Sequence, residues 1–173
     1  MVWKDTKLLE ALCVDMELEV LVRKCTNSNE MSELTHMLPM EETAAKTKFS
    51  KKNTELNKII KKEYEIDMQK IASQTKISKK NAELVLSIIK KRLKSNKLEK
   101  ITNSLHMLIY LIRNGGEIFQ AALYEMLQDL LGILNHHKIK KLLTGRTETY
   151  KSNFYQLLHC VTHECLKAHL DAK

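Results

Sequence analysis

Two apolar stripes at helical spacing flank a short basic link. Val85, Ile88, Ile89 and Leu93 recur at steps of three and four residues, and Ile101, Leu105, Leu108, Ile109 and Ile112 do the same. That is the period of an amphipathic helix. Between the stripes Lys90, Lys91, Arg92, Lys94, Lys97 and Lys100 are opposed only by Glu99. The second stripe stops at Asn114-Gly115-Gly116, where glycine suits the left-handed conformation common past a helix C-terminus. Residues 87 to 116 therefore predict a buried helical hairpin with positive charge gathered at one end. Either an anion binds there or the charge is a solvated face.

The same spacing recurs along the chain. Leu8, Leu9, Leu12, Met16, Val20 and Leu21 mark a helix over 3–25, with Asp5 or Thr6 as its cap and Thr26 to Asn29 as its stop. The pattern weakens from Met31 to Phe49, where Pro39 interrupts any helix. Lys46 to Lys62 carries seven lysines against Glu55 alone, which reads as an exposed, partly mobile insertion or as a polybasic arm for anionic lipid. Leu56, Ile59 and Ile60 allow a helix within it. Helical order resumes at Ile66, breaks over Thr75 to Lys80, and restarts with Ser78 as a cap. After Gly116, Ile118, Phe119, Ala122, Leu123, Met126, Leu127, Leu130 and Leu131 are expected to face inward. A basic link over 135–149 leads to a last helix burying Phe154, Leu157, Leu158, Val161 and Leu166. The fold class is all-α, a superhelical, solenoid-like stack or compact bundle of about six to eight helices.

Composition narrows the function. The chain has 173 residues, a length that fits one domain spanning 1–173. Four glycines, one proline and few aromatics favour helices. A net charge of +8 points to phosphate-bearing partners without choosing between membrane lipid and nucleic acid. The aromatics do not interleave with the lysines as a stacking surface requires, so nucleic acid is not favoured. Cys13, Cys25, Cys160 and Cys165 form no CxxC pair and read as reduced thiols of a cytoplasmic protein. The first residues lack a signal-peptide core, and no apolar run spans a bilayer, so membrane contact is expected to be peripheral. There is no Gly-rich phosphate loop, nucleophile elbow or paired-carboxylate pattern, hence no enzyme and no cofactor is expected. His159 and His163 stand four apart on one helix face, but no second ligand pair with finger spacing accompanies them, and no metal site is assigned.

Four blocks, in order, resemble the epsin N-terminal homology (ENTH) domain. Glu17-Leu-Glu-Val-Leu-Val-Arg-Lys-Cys-Thr-Asn is similar to that family's first core helix, with its Val-Arg-x-Ala-Thr run. Met68-Gln-Lys-Ile-Ala-Ser-Gln-Thr resembles the second. Ile88-Ile-Lys-Lys-Arg-Leu resembles the Lys-Arg-Leu helix end, and Ser104-Leu-His-Met-Leu-Ile-Tyr-Leu-Ile-Arg-Asn-Gly-Gly-Glu the helix that ends in Gly-Ser-Glu. Residues 31–66 are a longer, basic insertion where the family has a shorter link.

The resemblance implies a phosphoinositide-binding, lipid-binding adaptor of clathrin-type vesicle trafficking, in endocytosis or endosome and Golgi sorting. Its partners would be phosphoinositide-containing membrane and clathrin-coat or adaptor proteins. It would sit as a peripheral membrane protein on the plasma membrane, endosome or Golgi vesicles. Carried over by position, Arg23, Arg92, Lys97 and Lys100 are the implied headgroup ligands, with Asn27 or Asn29 beside them. In the epsin group an N-terminal helix folds on lipid and wedges into it. Here Val2, Trp3, Leu8 and Leu9 would form the wedge and Lys4 and Lys7 would reach phosphates. The family's basic positions in that helix hold Asp5 and Leu9, and Trp3 packing on the core is the alternative. The chain has no clathrin box or Asn-Pro-Phe motif, so coat partners are expected on the folded surface if the chain is complete.

Related superhelices give the rival readings. Arg113-Asn-Gly-Gly-Glu-Ile-Phe resembles a block of VHS domains, which recognise ubiquitin or sorting peptides. Domains that bind the polymerase C-terminal repeat carry a similar Asn-x-Gly.

Overall fold

The computed structural model describes the backbone of residues 2–27 and 50–171 and the side chains of 15–27, 55 and 58–171. Among these residues the secondary structure is helical, with no strand. The helices are α1 (Val2–Asn27), α2 (Ser50–Ile77), α3 (Lys79–Leu93), α4 (Leu98–Asn114), α5 (Gly116–Ile133), α6 (His136–Leu143) and α7 (Glu148–Asp171). They pack as one stack. The central α4 touches α1, α2, α3, α5 and α7, while α3 touches α1, α2, α4 and α5.

The hairpin of α3 and α4 is buried as its stripes predict. Val85, Ile88, Ile89, Leu93, Ile101, Leu105, Leu108 and Ile112 are all in the core, with Ile109 packed against it. Ser78 caps α3, its hydroxyl accepting from the Asn81 amide at 3.2 Å. At the far end of α4 the left-handed conformation falls on Gly116, with φ +81°. Thr75 of α2 ties this corner down, donating to the Gly115 carbonyl at 3.2 Å.

Several expectations are corrected. In α1 the buried line is Leu18, Val22 and Cys25, while Met16 and Val20 are 68% and 63% exposed. Both sides of this helix carry apolar residues, so spacing alone does not choose the inward one. The helix is also unbroken from Val2 to Asn27, so the segment expected to wedge into lipid and the first core helix form one rod. The lysine-rich stretch is not a loop from Ser50 onward but the first turns of α2. Lysine is a good helix former, and Tyr64, Met68, Ile71 and Thr75 then reach the core at helical steps. The rest of the 31–66 insertion, through residue 49, lies outside the described residues. Ile66, Ile118, Leu131 and Leu166 are exposed rather than inward. The link expected over 135–149 contains α6, capped by Asn135, whose Oδ1 accepts from the Lys138 amide at 2.9 Å. This helix buries Ile139 and Leu143.

Two predictions follow from this packing. A Cβ on Gly115 would sit 2.5 Å from the Leu111 carbonyl oxygen and 3.0 Å from the Phe119 side chain. Gly115→Ala should therefore cost about 1–3 kcal/mol, read as a lower urea midpoint. Burial also pushes the Cys25 thiol up to about 12 and the Cys165 thiol to about 11. The unfolded chain, with ordinary thiols near about 8.5, loses those protons first as pH rises. It then binds fewer protons than the folded state, so stability falls with rising pH. The urea midpoint should drop between about pH 9 and 11. A midpoint flat across that window would contradict the burial of both thiols.

Candidate anion-binding site

The last turns of α1 and α3 meet at the basic end of the hairpin. Arg92 follows Val85, Ile88 and Ile89 on the same side of α3, so the helix carries its stem into the core seam and leaves the residue 9% exposed. Its Nη1 donates to Asn27 Oδ1 at 2.8 Å. No carboxylate pairs with it among the described residues. Burial first, and then the positive charge of Arg23, lower the Arg92 pKa. A guanidinium nonetheless keeps its proton in a protein, so the site holds a fixed charge that lacks a counter-ion among the described residues.

Arg23 stands on the preceding turn of α1 and is held by Glu19, with Nε and Nη2 at 2.7 Å and 2.6 Å from the same carboxylate oxygen. The end of α1 is fixed to the hairpin. Thr26 is fully buried, its hydroxyl donates to the Val22 carbonyl at 2.8 Å, and Asn103 Nδ2 of α4 reaches the Thr26 carbonyl at 3.4 Å. Lys100 lies three residues before Asn103, so helix register sets it on the side of α4 that meets the end of α1, while Lys97 precedes the first turn of that helix. Lys97 is exposed and Lys100 half-buried, and neither has an ion-pair partner among the described residues. Lys97 also occupies the N-cap position of α4 without a side-chain cap. The first amides of α4 thus open toward the lysines, and uncapped helix amides favour anions.

Not all the basic residues are available. Lys90 is paired with Asp129 at 2.8 Å, and Lys24 with Glu63 and Asp67, each at 2.8 Å. Glu99 is turned to Arg146 at 3.7 Å. Around Arg92 stand the Asn27 side chain and Arg23, whose Nε and Nη2 are already held by Glu19. The uncapped start of α4, with Lys97 and Lys100, adds further donors at this end of the hairpin. Such a set matches an anion with several oxygens. Of the expected ligands, Arg23, Asn27 and Arg92 are brought together directly, while Lys97 and Lys100 stand apart from them at the start of α4. Asn29 and the side chains of Val2, Trp3, Lys4, Lys7, Leu8 and Leu9 lie outside the described ones.

Sequence reasoning missed Lys138. Its Nζ donates to the Leu93 carbonyl at 2.8 Å, satisfying an open carbonyl in the last turn of α3. Burial lowers its pKa. Asn135, a good N-cap residue three positions earlier, was the signal that a helix starts there.

The fold and site together define an all-α domain with a cationic seam between helix ends. Comparison with known proteins returns no matching family model, curated protein or solved structure.

Lys138→Met keeps the aliphatic stem but removes this bond. It should lower stability by about 1–2 kcal/mol in urea titrations, and Lys138→Arg should recover most of that loss.

Proposed function

We propose that this chain is a phosphoinositide-binding, ENTH-like adaptor of clathrin-type vesicle trafficking that grips the membrane through the seam around Arg92. It works by binding rather than catalysis, at the cytosolic face of the plasma membrane, endosomes or Golgi vesicles. The observation that carries this reading is a nearly buried guanidinium with no carboxylate partner among the described residues, with a second arginine close by. A polyphosphorylated headgroup supplies the counter-charge that the described residues do not. The four ordered sequence blocks support the same assignment.

A second feature favours lipid over a free phosphate compound. Met16, Val20, Arg23 and Asn27 fall on one side of α1 by its helical repeat. The exposed apolar pair therefore leads directly to the cationic end. A helix lying along a bilayer would place apolar side chains at the headgroup boundary and arginine among phosphates. No described helix is long and apolar enough to cross a membrane, so attachment in this reading is peripheral.

The test is co-sedimentation with vesicles carrying a phosphatidylinositol bisphosphate, against vesicles matched in charge with phosphatidylserine. Arg92→Ala combined with Lys97→Ala should weaken phosphoinositide-dependent binding by about tenfold or more, since each charge-assisted contact is worth about 1.5–3 kcal/mol. Arg92→Lys, which keeps the charge and loses the planar fork, should fall between. Met16→Ser with Val20→Ser should weaken vesicle binding while sparing binding of soluble inositol hexakisphosphate. Equal binding to both vesicle types would reduce the site to a polybasic surface. Full binding by the Arg92 and Lys97 variants would remove the site.

A further inference from the structure

The seam is not the only feature of the surface that lacks a partner. At the opposite pole the first half of α5 and the last turns of α7 part to leave a cleft of about 690 Å³. That lies within the range of about 300–1,000 Å³ usual for ligand sites. Leu123, Leu127, Ala168 and Cys165 contribute apolar walls. Tyr124 and His169 stand in the lining with their rings stacked, 4.3 Å between centroids and 4° from parallel. Tyr124 is still 55% exposed, so the stack holds the ring in place without covering it. The Arg113–Glu164 ion pair, at 2.8 Å, fixes α7 to the far end of α4 beside the cleft.

The charge of this cleft runs against that of the chain. The protein carries +8 overall, yet among the described residues the lining includes Glu117, Glu125 and Asp171 and neither lysine nor arginine. Lys79 answers Glu125 at 3.2 Å. Glu117 and Asp171 have no ion-pair partner among the described residues. An acidic or phosphorylated ligand is disfavoured here by like charge. A ligand that carries both cationic and apolar side chains satisfies carboxylates and walls together. Arginine suits the place best, because its planar guanidinium pairs with carboxylates and also stacks on an aromatic ring.

We infer that the cleft between α5 and α7 docks a basic peptide segment, with its apolar side chains on Leu123 and Leu127 and an arginine at the Tyr124 and carboxylate rim. This inference does not depend on the lipid reading, since it uses other residues at the other pole and a soluble ligand.

Three fluorescein-labelled nonapeptides test it by anisotropy: alternating leucine and arginine, alternating leucine and glutamate, and alternating serine and arginine. The first should bind at least tenfold more tightly than either of the others. Its binding should shift the amide NMR signals of Tyr124, Leu127 and His169. Tyr124→Ala and the paired change Glu117→Gln with Asp171→Asn should each weaken it about tenfold, a loss of about 1.4 kcal/mol. All three positions are exposed, and a melting curve for each variant separates loss of binding from loss of fold. Equal affinity for the glutamate or serine peptide, signal shifts confined to other helices, unchanged binding by the folded variants, or no binding of the first peptide would each overturn the inference.

Discussion

Burial of the α3–α4 hairpin is the constraint from which the rest of the molecule follows. Five helices press on α4 and four on α3, so both must offer apolar residues on several sides. At the turn between them, residues 94–97 meet solvent. At that point the core stripe of α3 carries Arg92 beside its last apolar residue, Leu93, in the register that Val85, Ile88 and Ile89 establish. Packing thus forces a guanidinium into the seam against α1, where Asn27 satisfies one of its donors and Arg23 opposes its charge. The site is a by-product of where the hairpin must stop.

Much of this hairpin was legible in the sequence because both helices obey one strict period and end in unambiguous signals: Ser78 at one start and the glycine pair at the far stop. Legibility fails where two sides of a helix are equally apolar. In α1 the choice between the Met16–Val20 side and the Leu18–Val22 side is made by contact with α3 and α4, which no local pattern encodes. It fails again where composition imitates a loop. Lys58, Lys61 and Lys62 look solvated and are, but they ride on a helix whose next turns hold Tyr64, Met68 and Ile71 in the core. The basic charge around Arg92 was visible from spacing, and Arg23 was singled out from resemblance. The contact between Arg92 and Asn27, sixty-five residues apart, depends on how α1 crosses α3. Lys138 went unseen because α6 is only eight residues long and its partner is a main-chain carbonyl.

The closeness of Arg23 and Arg92 would also tie occupancy by an anion to folding. Two like charges in a partly buried seam oppose the compact state, and Glu19 offsets only the first of them. An anion seated between them would relieve that repulsion only while the seam exists, and would therefore stabilise the folded chain by mass action.

The length of α4 has one more consequence. Its 17 residues span about 25 Å at 1.5 Å per residue, and they separate the cationic seam from the acidic cleft. At physiological ionic strength the field of a charge decays over about 8 Å. Each pole is therefore electrostatically invisible to whatever approaches the other. The chain can present opposite signs to the same solution without neutralising itself, and a highly charged ligand at one end leaves the selectivity of the other end untouched.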